Sequence, residues 1–319
     1  MSFSGICPSS YCLDIAGGLG NDKQARLECF WMVKTDYGHE KSWWDAKAKR
    51  EEIDKFDEQI NRALRWKEIK KHLSSEIKSI LDVGAGTGAF SIPLAEMGYS
   101  VVHFDLSDEM IAIAQEKVQG KNLNNLTFQQ GNSVDLSMYE NDAFDLVINM
   151  DGAVSFCGVD AEKAIKETIR VAKQKVIITV SNRTNMIVSL LKSAVRVSKN
   201  HFIPAVYSMF DDGVWHTYQF AENAELVKGF TNDYLGPIRA FTIEELKNIF
   251  ESEGMKISRL TAIGSLSNHC GKEFLEEIRN NPGLFAEFIE LCDRYDKEIC
   301  PYSLGSNQRA GMIIVAGKH

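Results

Sequence analysis

Two acidic residues flank a glycine cluster in the first third of the sequence, and their spacing suits a cofactor that contains a nucleoside. Asp82 precedes three glycines in a G-x-G-x-G pattern, Gly84, Gly86 and Gly88, and Asp105 ends the apolar run that follows them. Glycine lets the backbone adopt unusual dihedral angles and approach a ligand closely. A carboxylate at the position of Asp105 can accept hydrogen bonds from both hydroxyl groups of a ribose that carries no 2′-phosphate.

A βαβ unit is the element that would bring these residues together. An apolar run at 80–83 leads into the glycine cluster, a helix-compatible stretch follows, and a second apolar run covers 101–104. Strand, glycine turn, helix and strand is the order found in nucleotide-binding βαβ units. The sequence therefore predicts that the glycines and Asp105 lie at the same edge of a parallel sheet.

Details of the glycine spacing separate two classes of cofactor. A dinucleotide site reads G-x-G-x-x-G and places a pyrophosphate on the helix N-terminus. Here an acid, Asp82, would repel a pyrophosphate but suit a cationic ligand with an amino group. The stretch 81–88, Leu-Asp-Val-Gly-Ala-Gly-Thr-Gly, resembles the first motif of the class I S-adenosylmethionine (SAM)-dependent methyltransferases, and Asp105, Ser107 and Met110 follow in register.

The resemblance implies an α/β fold with a doubly wound, seven-stranded, mostly parallel sheet whose last strand is antiparallel. It is sharp over 76–181 and returns over 241–319. We expect a helical N-terminal lid segment at 1–75, a SAM-binding core at 76–181, a helical and aromatic cap insertion over the acceptor site at 182–240, and the rest of the core sheet at 241–319.

The resemblance also implies which residues bind SAM and its product S-adenosylhomocysteine (SAH). They are Asp82, Gly84, Ala85, Gly86, Gly88, Asp105, Leu106, Met110, Asn132, Ser133, Asn149 and Met150. Asn132 stands where similar proteins place an acid that accepts a hydrogen bond from the adenine amino group, and its side-chain carbonyl can accept the same bond without charge. Asn149 and Met150 end the fourth strand and should border the transferring methyl group.

Helix signals outside the core are clear in two places. Apolar residues recur at three-to-four residue spacing through 45–73, which predicts one long helix. Thr242 followed by Glu245 is a capping box, which predicts a helix start. Amphipathic helices broken at Pro282 should occupy 271–300 and form core or subunit contacts, so a homodimer is possible.

Aromatic residues on both sides of the core are candidates for the acceptor pocket. The stretch 29–44 is denser in aromatics than a linker, and we expect Trp43 and Trp44 to pack while Tyr37 and His39 face the site. The 182–240 insertion is also rich in aromatics. Our acceptor-binding candidates are Tyr37, Ser155, Tyr207, Trp215 and Tyr218, and the tyrosines could recognise an amine through cation–π contacts.

Methyl transfer from a sulfonium is an in-line displacement that depends mainly on positioning. A general base is needed only if the acceptor must lose a proton as it attacks, as a hydroxyl would. The candidate bases, in order, are His216 in the cap, His269 after the sixth strand and Asp151 after the fourth strand. We expect no metal, because no histidine or cysteine spacing matches a zinc site.

Composition limits the partners. The net charge is −8 and no basic stripe is sustained, which argues against a nucleic-acid substrate. No apolar run reaches the ~20 residues that span a bilayer, and residues 1–20 lack the features of a secretory signal. Seven scattered cysteines suit reduced thiols. We therefore expect a cytoplasmic enzyme that acts on a small molecule.

Three alternatives stay open at this stage. The chain could bind SAM without catalysis, as a regulatory module, or it could methylate a protein substrate. It could also be a nicotinamide-dependent oxidoreductase, which the glycine spacing and Asp82 disfavour. The favoured hypothesis is a SAM-dependent methyltransferase that acts on an oxygen or nitrogen atom of a small-molecule metabolite.

Overall fold

The computed structural model of the chain describes residues 35–52, 56–150, 152–188, 191, 209–215, 237–301 and 311–318. Four predicted site residues, Asp151, Tyr207, His216 and Tyr218, lie outside the described residues, as does most of the expected cap insertion.

Helices and strands alternate through the described residues. The α-helices are α1 (Tyr37–Glu51), α2 (Phe56–His72), α3 (Ser91–Glu96), α4 (Asp108–Lys117), α5 (Ala161–Val171), α6 (Ile243–Ser252), α7 (Lys272–Arg279) and α8 (Pro282–Arg294). The strands are β1 (Ser79–Val83), β2 (Ser100–Asp105), β3 (Leu126–Gln130), β4 (Phe144–Asn149), β5 (Ala172–Asn182), β6 (Val214–Trp215), β7 (Ile238–Phe241), β8 (Lys256–Ile263) and β9 (Gly311–Gly317). Short 3₁₀ helices cover Ser155–Asp160 and Leu266–His269, and a π-helical turn covers Tyr295–Ile299.

Seven of these strands form the main sheet, in the order β3-β2-β1-β4-β5-β9-β8. The pairs from β3 to β5 are parallel, and β9 runs antiparallel to both β5 and β8. Leu81 of β1 pairs with Val102 of β2 on one side and with Val147 of β4 on the other. The predicted doubly wound sheet with an antiparallel last strand is confirmed.

Strands β6 and β7 form a short ribbon that the sequence did not predict. Ser181 of β5 pairs with Gly311 of β9 and also with Ala240 of β7. Because a strand residue has one neighbour on each side, β7 lies on the β4 side of β5, beyond the end of β4. This ribbon therefore borders the carboxyl edge of the sheet, where ligands bind in open α/β folds.

Both faces of the sheet are covered, and β4 shows this most clearly. All six residues of β4 are buried. Val147 belongs to the apolar cluster that includes residues of α5 and α6, whereas Leu146 and Ile148 belong to the cluster on the opposite face with residues of α2, α3 and α8. Burial on both faces explains the nearly continuous apolar sequence of this strand.

The expected single helix over 45–73 is wrong, because two helices occupy this region. Helix α1 begins at Tyr37, where the Asp36 carboxylate accepts hydrogen bonds from the backbone N–H groups of Gly38 and His39, and it ends at Glu51. Helix α2 begins at Phe56. The apolar stripe belongs to α2, whose Ile60, Leu64 and Ile69 are buried in the apolar cluster on one face of the sheet, whereas the buried residues of α1 are Glu40 and Ala48.

Other local signals behave as predicted. The N–H of Glu245 donates to Thr242 Oγ1 at 3.2 Å, and the N–H of Thr242 donates to Glu245 Oε2 at 2.9 Å, which confirms the capping box. Helices α7 and α8 are separated at Pro282, where Asn281 caps α8.

Within the described ranges, no helix combines the length and the apolar character needed to cross a membrane.

Candidate active site

The glycine loop, residues 84–88, connects β1 to the helix that follows it. Its glycines have φ values of +70° at Gly84, +56° at Gly86 and +89° at Gly88, in the region that side chains disfavour. A Cβ on residue 84 would lie 2.3 Å from the Cβ of Ala153. The loop therefore packs directly against the segment after β4. Any residue larger than glycine at position 84 would overlap Ala153.

Asp105 joins the glycine loop to the start of α4. Its carboxylate is 9% exposed and accepts hydrogen bonds from the N–H of Gly86 at 2.7 Å and from the N–H of Ser107 at 2.8 Å. Burial raises the pKa of Asp105, although these two N–H bonds act to lower it. Each carboxylate oxygen can accept a second hydrogen bond, so the carboxylate can still bind two ribose hydroxyls.

A cavity of about 190 Å³ lies over this edge of the sheet. Nine of the twelve predicted cofactor residues line it: Gly84, Ala85, Gly86, Asp105, Leu106, Met110, Asn132, Ser133 and Met150. We call the glycine loop and Asp105 the floor of this cavity. The structure thus brings together residues from the ends of β1, β2, β3 and β4, as a nucleoside site requires.

The other three predicted cofactor residues lie outside the cavity lining. Asp82 and Asn149 are almost fully buried, and a Cβ on Gly88 would meet Ile92 in α3. Neither the side-chain oxygen nor the side-chain nitrogen of Asn149 has a hydrogen-bond partner among the described residues. A buried amide of this kind usually has a partner, so Asn149 is a candidate for a ligand contact at the end of β4.

Asn132, the residue expected at the adenine, already uses its side chain locally. Its Oδ1 accepts a hydrogen bond from the N–H of Val134 at 3.1 Å. The same oxygen has a second lone pair, and Asn132 lines the cavity. The adenine contact stays a prediction.

Helix α1 covers the floor with one face. Tyr37, Glu40 and Trp44 line the cavity and are spaced i, i+3 and i+7, which places them on the same side of a helix. We call these three residues the roof. Glu40 is only 2% exposed, so its carboxylate is part of the cavity wall and not of the protein surface.

The N-terminal end of the roof is attached to the 3₁₀ helix Ser155–Asp160. The hydroxyl of Tyr37 donates to Asp160 Oδ2 at 2.9 Å, and Thr35 Oγ1 donates to the carbonyl of Cys157 at 2.8 Å. The rings of Trp44 and Phe156 meet edge to face with centroids 4.9 Å apart. These contacts close the cavity on the side of β4.

The middle of α1 is attached to the start of α4. Asp45 Oδ1 accepts a hydrogen bond from Ser107 Oγ at 2.6 Å and another from the N–H of Glu109 at 3.3 Å. Lys41 forms ion pairs with Asp45 and Asp108, each at 2.8 Å. Ser107 also donates its N–H to Asp105. This one residue therefore contacts both Asp45 of α1 and the carboxylate of the floor.

The end of α1 is attached to the glycine loop. Lys117 Nζ donates to Glu52 Oε1 at 2.7 Å and to the carbonyl of Thr87 at 2.9 Å. Helix α1 is therefore attached along its length to the elements around the floor, by Tyr37 to Asp160, by Asp45 to Ser107 and, through Lys117, by Glu52 to Thr87.

The predicted acceptor-binding residues have different positions. Tyr37 lines the cavity. Ser155 is buried and does not line it, because its Oγ accepts the N–H of Ser181 at 2.8 Å. Trp215, on β6, also lies outside the lining and packs against a small cluster around Met186 and Met209. His39, which we expected to face the site, is exposed and does not line the cavity. Trp44, which we expected to pack, lines the cavity.

Among the three candidate bases, the structure describes only His269. It ends the 3₁₀ helix after β8, is solvent-exposed and does not line the cavity. His216 and Asp151 lie outside the described residues, so their roles stay predictions.

Sequence reasoning missed several lining residues, above all Glu40, Trp44, Phe156 and Cys157. Burial raises the pKa of the Cys157 thiol to about 12, and its sulfur lies 3.1 Å from Ser133 Oγ. A raised pKa favours the protonated thiol at neutral pH, which disfavours Cys157 as a nucleophile. The helical spacing of the roof residues is a signal that could have found Glu40 and Trp44.

Comparisons with known proteins agree with this geometry. Residues 80–175 match the family described as a methyltransferase domain. YqeM of Bacillus subtilis (strain 168), which is named as a methyltransferase, is 27% identical over 191 residues, covering 57% of this chain and 75% of YqeM.

Two further relatives differ in the substrates that their names state. The magnesium-protoporphyrin O-methyltransferase of Rhodobacter capsulatus is 27% identical over 105 residues, which cover 33% of this chain and 46% of the relative. The human EEF1A lysine methyltransferase 2 is 28% identical over 153 residues, which cover 41% of this chain and 62% of the relative. This chain thus matches less than two thirds of either relative.

A solved structure supports the fold. A methyltransferase chain from the complex with the Trm112 methyltransferase activator of Haloferax volcanii superimposes with a TM-score of 0.52. The superposition covers 89% of this chain and 98% of that chain at 15% identity. At this identity the likeness shows a shared fold.

Proposed function

The chain belongs to the class I SAM-dependent methyltransferases and uses SAM as its cofactor, and we propose that it methylates an oxygen or nitrogen atom of a small-molecule metabolite. SAM supplies a methyl group that is activated by the positive sulfonium to which it is bonded. The residues of this chain have to bind the cofactor, exclude water and hold the acceptor atom in line with the methyl group.

The cavity offers the groups that SAM requires. Asp105 would bind the ribose hydroxyls with the free lone pairs of its carboxylate, and the open side of Gly86, where a Cβ would meet nothing within 4 Å, leaves room for the ligand. Asn132 and Ser133 would contact the adenine. Asn149 lies outside the cavity lining, but its buried amide has no partner among the described residues and it directly precedes Met150, which lines the cavity.

One observation carries the proposal of a small acceptor: the roof turns the cofactor cleft into a cavity with aromatic walls. Tyr37, Trp44 and Phe156 line the same cavity as the floor. Ligand sites for small molecules are concave and mostly apolar, with a few polar groups. A long protein segment would need an open groove, whereas α1 crosses this cleft and is bonded to both sides of it.

The relatives allow both substrate classes. One is named for a porphyrin acceptor and another for a lysine of a protein. The enclosed aromatic cavity supports the first class for this chain.

Positioning is the main contribution of the protein to the reaction. The edge-to-face contact of Trp44 with Phe156 would exclude water from the reacting atoms. Ala153, which packs against Gly84, and the lining residue Met150 would fix the site beside the end of β4. His216 and Asp151 remain our proposed bases for an acceptor that must lose a proton.

The test uses SAM with a labelled methyl group and a cell extract separated into small-molecule, protein and RNA fractions. We expect label in the small-molecule fraction only, and no label with the Asp105→Ala variant. Label in the protein or RNA fraction would contradict the proposal. If SAH binds but no fraction is labelled, the chain is a SAM-binding regulatory protein instead.

A further inference from the structure

Glu40 is an unusual component of the cavity wall. It is 2% exposed and lies in the first turn of α1, between Tyr37 and Trp44 on the face that lines the cavity. Glutamate is rarely buried, because the removal of a carboxylate from water is costly. A carboxylate at this position strongly restricts the chemistry of a ligand that lies beside it.

The charges of the cavity are unevenly distributed. Among the described lining residues, the carboxylates are Glu40, Glu51 and Asp105, and Arg62 is the single lysine or arginine. The positive charge of Arg62 lies at the end near the glycine loop. It contributes to lowering the pKa of Glu52, and Glu52 is joined through Lys117 to the carbonyl of Thr87 in that loop. Glu40 acts at the other end, where its charge contributes to raising the pKa of Cys157. The end near Cys157 is therefore the acidic end.

Aromatic rings surround this acidic end. Tyr37 and Trp44 flank Glu40 on α1, and Phe156 contacts Trp44 at 4.9 Å between ring centroids. Aromatic faces attract cations, and they do so more strongly where the cation is shielded from solvent. A carboxylate and several aromatic rings together suit an amine, which has N–H donors and accepts a positive charge.

Contacts of the neighbouring residues hold Glu40 in place. Tyr37, three residues before it, is bonded to Asp160, and Asp45, five residues after it, accepts the hydroxyl of Ser107. Glu40 thus lies between two attachment points of α1, so its carboxylate has a defined position relative to the floor.

We propose that the acceptor is a small primary or secondary amine and that Glu40 binds the nitrogen atom that is methylated. This inference rests on the function proposed above and narrows its acceptor from oxygen or nitrogen to nitrogen. The lone pair of the neutral amine attacks the methyl carbon, the C–S bond breaks, and its electron pair stays on sulfur to give SAH. The new N–C bond leaves a positive charge on nitrogen, which is removed when an N–H proton passes to the Glu40 carboxylate.

The experiment compares amines with alcohols of the same shape. The probes are benzylamine and benzyl alcohol, phenethylamine and 2-phenylethanol, and butylamine and 1-butanol, each tested for SAH formation with SAM. The enzymes are the wild type, Glu40→Gln and Glu116→Gln, the last being a matched control because Glu116 is exposed on α4. Isothermal titration with SAH is done on the same three proteins.

We expect the wild type to methylate at least one amine and none of the alcohols. Glu40→Gln should reduce kcat/KM for that amine at least tenfold, while its affinity for SAH stays within a factor of two and Glu116→Gln behaves as wild type. Three results would overturn the inference: methylation of an alcohol, tight SAH binding with no amine methylated, or an equal loss of SAH affinity in Glu40→Gln. The third result would assign Glu40 to the cofactor. Failure of the proposed function is seen separately, as the absence of label in the small-molecule fraction of the extract.

Discussion

The floor and the roof of the cavity are built in opposite ways. The floor comes from short-range backbone contacts: the N–H groups of Gly86 and Ser107 reach Asp105 across sequence separations of 19 and 2 residues. The roof is held by side chains across much longer separations, 62 residues from Asp45 to Ser107 and 123 residues from Tyr37 to Asp160. The floor therefore depends on local sequence, whereas the roof depends on the folded chain.

This difference bears on how the two regions can change. The donors in the floor are backbone N–H groups, which are present whatever the side chain at 86 or 107, so the carboxylate of Asp105 is the one side chain on which these bonds depend. Single substitutions can remove the bonds of the roof. We infer that the floor determines which cofactor binds, and that the roof closes over the cofactor and determines the acceptor.

Gly84→Ala should have the largest effect on the floor. The new Cβ would overlap Ala153 at 2.3 Å, and residue 84 has a φ of +70°, a backbone strain of about 1–3 kcal/mol for a non-glycine residue. We expect a loss of SAH affinity of ~100-fold or more, measured by isothermal titration, and a lower melting temperature. Gly98→Ala is the matched control, since Gly98 has a φ of +95° but a Cβ there would meet nothing within 4 Å. An equal loss of affinity in both variants would show that strain, and not the close approach, is responsible.

Asp105→Asn tests the floor without a change in shape. The amide cannot accept from both Gly86 and Ser107 and still bind two ribose hydroxyls, and each bond to a charged group contributes about 1.5–3 kcal/mol. We expect SAH affinity to fall ~10–100-fold. Asp135→Asn is the control, because Asp135 is exposed and accepts only a local hydrogen bond, from Ser137. Unchanged SAH affinity in Asp105→Asn would show that the carboxylate of Asp105 does not bind the cofactor.

Asp45→Ala loosens the roof and leaves the floor intact. It removes the hydrogen bonds from Ser107 and Glu109 and the ion pair with Lys41. We expect roughly tenfold weaker SAH binding, with an unchanged circular dichroism spectrum, while Lys49→Ala, at an exposed position of α1, has no effect. If SAH binding is the same in both variants, α1 does not close over the cofactor.

Charges remote from the cavity should affect stability but not binding. Glu68 of α2 pairs with Arg259 and Lys71, and Asp293 of α8 also pairs with Arg259. Burial raises the pKa of both acids, but the bonds and charges of their partners outweigh it, so the pKa of Glu68 is well below its usual value and that of Asp293 is lowered to about 2.

Because these pKa values are depressed in the folded protein, the stability they contribute is complete above pH ~5 and is lost as the pH falls toward 2. We expect Glu68→Gln to lower the free energy of unfolding by ~3 kcal/mol at pH 7. Below pH ~5 the free energy of unfolding of the variant should fall less steeply than that of the wild type. The SAH affinity should stay within a factor of two. Urea titrations at several pH values would measure this, and weaker SAH binding at pH 7 would contradict the separation of the two regions.

The sequence was sufficient to predict the floor, because its signals are local. The glycine pattern, strands β1 and β2 and the acid that ends β2 lie within 30 residues, and the capping box at Thr242 needs only four positions. Each of these features depends on backbone conformation that nearby residues determine.

The roof could not be predicted to the same extent. Glu40 would be expected at the surface, since glutamate usually is, and only the folded chain shows that it lines the same cavity as Phe156 and Cys157. The separation of α1 from α2 follows from their different partners, α4 and the 3₁₀ helix for α1 and the sheet for α2. The β6–β7 ribbon was missed because two-residue pairing leaves little sequence pattern.

Hydrogen–deuterium exchange with and without SAH tests directly whether α1 is the roof of the cofactor cavity. Amides of 84–88 and of 37–51 should both exchange more slowly with SAH, whereas those of α7 (Lys272–Arg279), which do not line the cavity, should be unchanged. Protection confined to 84–88 would contradict this arrangement, since the cofactor would then bind to the floor without contact with the roof.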